Sequence, residues 1–219
     1  MSGDDPLQAA VDRKQAQLQT AHGIFGEDHP QTMTAMLDLA EALWTQGRLI
    51  AARKLEEQVV AGRRRLLGVD NADTLKAVGK LAVTMAAQGE LAEARRLQEH
   101  IVAGMRALDG ETGRDTLRAI NNLAGTVAAQ GDLAGAREML QTVIAVLGRE
   151  HSEQHPDCLA AMGNLAGILW QEGDQAEACE LQRQVVESCR QVHGEADRAT
   201  QTAAAVLETM ERDTGFPLG

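Results

Sequence analysis

The chain has 219 residues, a formal net charge of −11 and few aromatic residues, with two Trp, two Phe and no Tyr. An acidic chain lacks the basic surplus that neutralises phosphates, and the charge therefore argues against nucleic-acid binding. No run approaches the roughly 18 apolar residues of a membrane span, and the acidic start does not resemble a signal peptide. Three cysteines do not make a disulfide framework. We therefore expect a soluble, cytoplasmic protein with no membrane partner.

A 42-residue repeat is the strongest pattern in the sequence. One glycine position, one alanine position and one leucine position each recur at this step. They are Gly47, Gly89, Gly131 and Gly173; Ala10, Ala52, Ala94, Ala136 and Ala178; and Leu39, Leu81, Leu123, Leu165 and Leu207. A period of this length is typical of stacked supersecondary units. Because strand formers are scarce and Ala, Leu, Glu, Gln and Arg are abundant, the units are predicted to be helical.

In chain order, the pattern predicts a lone helix over residues 6–22, four helix pairs, and a last lone helix over residues 198–212, which makes ten helices. The four whole units are placed at residues 24–66, 67–108, 109–150 and 151–192. Residues 1–23 and 193–219 are predicted to be half-units that cap the ends, the second of them followed by a tail. Residues 148–155 interrupt the usual Leu-Gly turn, and a locally altered loop is expected there.

Signals for helix ends recur in each unit. The first helix is predicted to open at His29, Asn71, Gly113, His155 and Asp197 in successive units. It is predicted to end at the repeated glycine in a left-handed conformation. In three units an acidic residue follows, and we expect it to cap the second helix; these residues are Glu90, Asp132 and Asp174. The repeated alanine is expected where the two helices cross too closely for a larger side chain.

Several short motifs resemble one known type of repeat. Residues Gly26-Glu27-Asp28-His29-Pro30-Gln31-Thr32, then Leu39-Ala40, Gln46-Gly47-Arg48 and Ala52, resemble the kinesin light chain type of tetratricopeptide repeat. Asn121-Asn122-Leu123-Ala124 and Asn164-Leu165-Ala166 are similar to its Asn-Leu-Ala core. The resemblance implies an all-α fold, a right-handed superhelical solenoid of antiparallel helix pairs. It also implies an adaptor or scaffold that is not an enzyme.

The resemblance further implies a binding face, because first helices line the concave side of tetratricopeptide arrays. The corresponding positions of this sequence are Trp44, Lys76, Lys80, Arg118, Asn121, Asn122, Asn164 and Trp170. Asn side chains match the donors and acceptors of a peptide backbone, and nearby cations favour a carboxylate. We therefore predict a protein or peptide partner that presents an extended, acidic or carboxylate-bearing segment to a concave groove. Alternatively, the Asn side chains bond only to a neighbouring helix, the cations meet only water, and the Trp rings fill space between repeats.

No catalytic constellation is evident, and neither a cofactor nor a metal is expected. His151, His155 and Cys158, with Cys179 and Cys189 on the next helix, are the residues that could ligate a metal. Since His155-Pro156 belongs to the turn signature and Cys158 replaces a repeated Thr, we interpret them as structural.

Acidic pairs such as Glu56-Glu57 are expected on solvated helix faces. Two other functions stay open at this point. One is a structural protein that self-associates into a homo-oligomer. The other is a metal- or ligand-dependent sensor, or an enzyme accessory subunit, that uses the loop from His151 to Cys158.

Overall fold

The structure is a computed structural model that describes residues 6–150, 152 and 154–214. Over these residues the secondary structure consists of ten α-helices and no β-strand. The helices are α1 (Pro6–Phe25), α2 (Pro30–Thr45), α3 (Leu49–Leu67), α4 (Ala72–Ala87), α5 (Leu91–Asp109), α6 (Arg114–Ala129), α7 (Leu133–Glu150), α8 (Pro156–Glu172), α9 (Gln175–His193) and α10 (Arg198–Thr214). The predicted all-α fold class is confirmed.

The chain divides into two compact units, Met1–Leu108 and Asp109–Gly219. In the first unit α2 packs against both α1 and α3, and α3 also packs against α4. In the second unit each helix from α6 to α10 packs against the helix that precedes or follows it in sequence. Because short turns join neighbouring helices, each packed pair is antiparallel. The fold of each unit is therefore assembled from contacts between sequence neighbours.

Glycines in the left-handed conformation end the first helix of each pair. Gly47, Gly89, Gly131 and Gly173 have φ values of 74°, 88°, 93° and 95°. At the first of these turns the Gly47 N–H donates to the Trp44 carbonyl at 2.8 Å, and the next N–H, of Arg48, donates to Leu43 at 2.9 Å. Only glycine adopts this conformation without a steric cost, so the turn requires it. The predicted glycine C-cap is confirmed.

The loop after α7 departs from the turns that link the other units. Ser152 stands there at the repeat position that Gly26, Gly68, Gly110 and Gly194 fill with positive φ. The Ser152 N–H donates to the Leu147 carbonyl at 3.3 Å, and its hydroxyl accepts from the Gln154 N–H at 3.1 Å. No described residue other than glycine has a positive φ, so Ser152 does not adopt the left-handed conformation of those glycines. His151 and Glu153 of the same loop lie outside the described residues.

Side chains cap the first helices almost as predicted. His29, Asn71, His155 and Asp197 each accept a hydrogen bond from the backbone N–H two residues later. Gly113 has no side chain to offer, and the Asp109 carboxylate accepts instead from the Asp115 N–H at 3.2 Å. The capping function at α6 has therefore moved four residues upstream, which the repeat pattern does not predict.

The predicted cap of the second helix is confirmed at Asp132 and wrong at Asp174, while Glu90 is seen in an ion pair. Asp132 accepts from the Gly135 N–H at 2.9 Å and caps α7. Asp174 makes no capping hydrogen bond. Glu90 binds the Arg53 guanidinium at 2.6 Å. The equivalent pair, Arg137 and Asp174, is 3.8 Å apart, so these acidic residues form ion pairs with the preceding second helix.

The repeated alanine lies fully buried where the helices pack together. Ala52, Ala94, Ala136 and Ala178 all have an exposed fraction of 0%. In the first unit Ala52 of α3 belongs to one apolar cluster with Leu39 and Leu43 of α2 and Val11 of α1. A larger side chain at this position would have to enter a packed helix crossing, as the sequence predicts.

One position of the second helices is buried although it carries polar residues. It holds Glu56, Gln98 and Gln182 in three units and Leu140 in the other, with exposed fractions between 0% and 4%. The expectation that Glu56 lies on a solvated face is therefore wrong. Its Oε1 accepts from the Thr84 hydroxyl at 3.1 Å, while its Oε2 has no hydrogen-bond partner among the described residues. Burial raises the pKa of Glu56, and the Thr84 bond opposes that rise.

Replacing one repeated alanine by leucine tests the helix crossing. Ala136→Leu is expected to lower the free energy of unfolding by about 1–3 kcal/mol, because the added methylene groups overpack the contact. Ala134→Leu, at an exposed position of the same helix, is the control and is expected to have little effect. Urea titration followed by circular dichroism measures both. Equal effects of the two variants would contradict the account.

Glu56→Gln tests the buried carboxyl. Because the folded pKa of Glu56 is raised above its ordinary value of 4.5, wild-type stability from this group is fully present below that value. It is lost as the pH rises through the folded pKa. Glu56→Gln is therefore expected to raise the free energy of unfolding at pH 7.5 by about 1 kcal/mol, and the gain is expected to shrink at pH 4. Glu138→Gln, at an exposed carboxylate of the second helix α7, is the control. A gain in the free energy of unfolding that did not depend on pH would contradict this interpretation.

Candidate binding faces on the first helices

In the first unit, α2 and α4 present the predicted binding residues. Lys80 of α4 binds Glu41 of α2 at 3.0 Å, which shows that the exposed sides of the two helices are neighbours. Trp44 is 42% exposed at the end of α2, and Lys76 is exposed on α4. We call these four residues the first-helix face of unit 1. The face carries an indole ring and a charged pair that reaches from one helix to the next.

In the second unit, α6 and α8 lie side by side and present the predicted Asn side chains. The Asn164 amide donates to Asn121 at 3.0 Å, so these two side chains satisfy each other across the two helices. Asn122 is exposed. We call Arg118, Asn121, Asn122, Asn164 and Trp170 the first-helix face of unit 2. The alternative reading, in which Asn bonds to a neighbouring helix, therefore applies to one pair.

Two of the three predicted cations, Lys80 and Arg118, are paired with acidic side chains. In addition to the Lys80 pair, Arg118 lies 3.5 Å from Asp157, whose second oxygen accepts from Arg114 at 2.6 Å. Asp157 is mostly buried, with 17% of its side chain exposed, whereas the two arginines are more than half exposed. The Lys80 pair is exposed on both sides, and exposed ion pairs are worth about 0–1 kcal/mol, so a ligand carboxylate can replace Glu41 at small cost. If a ligand takes Arg118, Asp157 still has Arg114 as its partner.

Two glycines lie inside the helices of the unit 2 face. Gly125 of α6 and Gly167 of α8 occupy the same repeat position, and neither has a positive φ. A Cβ built at either residue would meet no atom within 4 Å. Glycine costs a helix about 1 kcal/mol relative to alanine, and here neither packing nor backbone conformation requires it. These positions leave the helix backbone open to an approaching chain.

Trp170 borders an open groove between α8 and α10. The groove has a volume of about 660 Å³, and its other walls come from α10, including Thr202, Val206 and Met210. Trp170 also packs against the apolar cluster that contains Met210 and Cys179, so its ring is partly structural. Sequence reasoning missed the α10 wall. The 42-residue step would have found it, because it relates Val206 to Asn164.

The residues that could ligate a metal have other surroundings. His155 caps α8 through its Nδ1, and Cys158, Cys179 and Cys189 are buried. His151 lies outside the described residues. No group of three His, Cys, Asp or Glu side chains is placed to hold a metal ion in the described part of the chain. Burial raises the pKa of the Cys179 and Cys189 thiols, which disfavours the thiolate that a nucleophile or ligand needs.

None of the helices in residues 6–150 and 154–214 is both long and apolar enough to traverse a bilayer.

The geometry of the helices defines a class of protein, namely a repeat protein of helix pairs whose first helices carry exposed polar and glycine positions. A model of the tetratricopeptide repeat matches residues 72–149 and 115–191, and a second model of the tetratricopeptide repeat matches residues 32–73. The chain belongs to the tetratricopeptide repeat family, and its fold is an all-α solenoid.

Solved structures of other proteins are similar to this chain, among them a kinesin light chain candidate. The nearly identical TPR-like repeats of a kinesin light chain candidate from Podosopora anserina share 28% identity, with a TM-score of 0.61 over 84% of this chain and 87% of that one. The resemblance to the kinesin light chain type is therefore confirmed.

Two peptide complexes share the fold at lower identity. Rap protein complexed with Competence and Sporulation Factor has a TM-score of 0.70 and 14% identity over 94% of this chain and 60% of that one. Bacillus thuringiensis PlcR in complex with the peptide PapR7 and DNA has a TM-score of 0.63 and 13% identity over 96% and 76%. None of the curated proteins matches the sequence.

A double-mutant cycle tests the bond between Asn121 and Asn164. Each single change to Ala is expected to leave one amide without its partner, so the double variant should lose less stability than the sum of the two. We expect a coupling free energy of about 0.5–1.5 kcal/mol from urea unfolding of the four proteins. Additive losses would show that the two amides do not bond in solution.

Proposed function

We propose that this protein is a non-enzymatic adaptor or scaffold that binds an extended segment of a partner polypeptide along its first helices. Tetratricopeptide repeats are protein–protein interaction modules. The proposal places the partner on the faces predicted to be concave, with Trp44, Lys76, Lys80, Arg118, Asn121, Asn122, Asn164 and Trp170 as its candidate contacts.

The observation that carries the proposal is the open glycine position of the unit 2 face. Gly125 and Gly167 weaken their helices without serving the packing of the protein, and a Cβ at either one would point into empty space. Their joint effect is to let another backbone come close to α6 and α8. Asn122, exposed beside this strip, can both donate to and accept from a peptide group.

We further propose that the bound segment is acidic or carries a free carboxylate. Lys80 and Arg118 support this preference, because their present partners are carboxylates of this chain and a ligand carboxylate would exchange with them. The solved complexes of Rap and PlcR add that related solenoids bind peptides. That support concerns the class of ligand and not its sequence.

A second candidate, self-association, is favoured by a row of exposed apolar side chains in the first unit. Ile24, Leu66 and Leu108 recur at one repeat position near the ends of α1, α3 and α5, with exposed fractions of 66%, 52% and 56%. Sedimentation velocity over a range of protein concentrations tests it. A sedimentation coefficient that rises with concentration, and that falls back in a Leu66→Gln variant, would support self-association.

Filling the glycine strip tests the proposed function. In Gly125→Gln/Gly167→Gln, two better helix formers replace glycine, so the free energy of unfolding is expected to rise by up to about 1 kcal/mol per site. Recovery of polypeptide partners from the native lysate is expected to fall at least tenfold by quantitative mass spectrometry, because the added side chains occupy the path of the ligand.

A charge variant and a matched control complete this test. Lys80→Glu/Arg118→Glu is expected to release the same partners, whereas Lys54→Glu/Arg96→Glu makes the same charge change on exposed residues of second helices and should retain them. Partners that remain bound to the glycine variant and the charge variant alike would exclude the first helices as the working surface.

A further inference from the structure

The groove between α8 and α10 differs from the rest of the first-helix faces. Its volume of about 660 Å³ lies in the range of ligand sites in proteins. Trp170 forms one wall, and Val206, which is 41% exposed, stands on the other with Met210 beside it. An exposed aliphatic side chain next to an indole ring favours an apolar side chain of a ligand between them. The middle of the groove is therefore an apolar subsite.

The two ends of the groove carry opposite charges. Arg198, the first residue of α10, and Asp213, in its last turn, both belong to the groove wall. Neither has an ion-pair partner within residues 6–150, 152 and 154–214, in contrast with Lys80 and Arg118, which are paired. Both charges therefore stay available to a ligand.

The same two charges do not serve the helix that carries them. A helix favours anions at its N-terminus and cations at its C-terminus, and Arg198 and Asp213 have the opposite arrangement. They lie fifteen residues apart, which is about 22 Å along an α-helix. An extended chain covers that distance in about seven residues.

We infer that this groove binds an extended peptide of about seven residues with a defined charge order. An acidic residue of the peptide pairs with Arg198, an apolar side chain inserts between Trp170 and Val206, and a basic residue pairs with Asp213. The inference rests on the proposed function and adds the chemistry of one segment of the ligand. It also assigns the proposed preference for an acidic ligand to one residue, because Arg198 forms no ion pair with a carboxylate of the described chain.

Selection from a phage-displayed library of random twelve-residue peptides tests this inference. The baits are the wild-type protein, Arg198→Glu/Asp213→Lys, and Arg212→Glu/Glu208→Lys, which swaps an exposed ion pair on α10 that does not line the groove. Wild type and the control are expected to enrich peptides with an acidic, an apolar and a basic residue in one order. The groove variant is expected to enrich the reverse order.

Affinity measurements on the enriched peptide test the apolar subsite. Trp170→Ala and Val206→Asp are each expected to weaken binding of the synthetic wild-type consensus peptide at least tenfold by fluorescence anisotropy, as for anchors at the centre of an interface. Val206→Asp serves as the second variant because it alters an exposed side chain, so the test survives if Trp170→Ala misfolds. Circular dichroism establishes that each bait is folded.

The outcomes separate this inference from the proposed function. The inference would be overturned if Arg198→Glu/Asp213→Lys and Arg212→Glu/Glu208→Lys enriched peptides with the same charge order. It would also be overturned if neither Trp170→Ala nor Val206→Asp weakened peptide binding tenfold. If those peptides nevertheless lose binding to Gly125→Gln/Gly167→Gln, the proposed function stands without it. No enrichment on any bait overturns both. Sedimentation showing a dimer that Val206→Asp dissociates would identify a second copy as the occupant and overturn the inference as well.

Discussion

The close crossing of two helices at a single alanine is the constraint on which the rest of the structure depends. Ala52, Ala94, Ala136 and Ala178 have no exposed surface, so a larger side chain there would have to displace packed neighbours. A left-handed glycine ends the first helix of each pair and fixes the distance from the turn to that crossing. Because the glycine turn and the alanine crossing recur at the same step, the other positions of the 42-residue repeat keep the same spacing from them in each unit.

That constancy lets exposed positions vary without loss of the fold. The position that holds Gly125 and Gly167 carries Glu41 and Val83 in the first unit. The buried position at Glu56 accepts a carboxyl, an amide or a leucine side chain. Arg53 and Arg137 each bind an acidic residue of the following unit, at 2.6 Å to Glu90 in the turn after α4 and at 2.9 Å to Glu172 at the end of α8. Helix packing therefore maintains the scaffold, while the first-helix faces are free to differ between units.

The sequence predicted the features that repetition makes visible. The helices, the glycine turns and the alanine crossings each depend on one residue type at one period, and four copies make such a signal unambiguous. The sequence does not predict that Glu56 is buried. The neighbouring position, which holds Leu55 in the first pair, is apolar in every unit and therefore predicts the inward-facing side chain instead. In the structure Leu55 is only partly buried, and the next residue faces the neighbouring helix. The stripe of apolar residues on a second helix is narrower than the surface that packs against other helices, so the stripe alone could not predict the buried polar position.

The sequence predicted which positions form the candidate site, but it did not predict the contacts between their side chains. The repeat step gave the first-helix positions, yet the bonds that join Asn121 to Asn164 and Arg118 to Asp157 depend on distances between helices that no periodicity encodes. The α10 wall was missed because the position that holds Lys80, Asn122 and Asn164 in the preceding units carries the apolar Val206 in α10. Gln201 and Glu208 are exposed on α10, whereas their equivalents one unit earlier, Leu159 and Ala166, are buried.

Site-specific photo-cross-linking in the native lysate tests the central claim most directly. A photoreactive amino acid would replace exposed Asn122 on α6 or, as the matched position, exposed Gln141 on α7. The account predicts partner adducts from residue 122 and none above background from residue 141, with the cross-linked peptide extended along α6 and α8. Adducts from residue 141 alone, or adducts between copies of this chain at both positions, would contradict it.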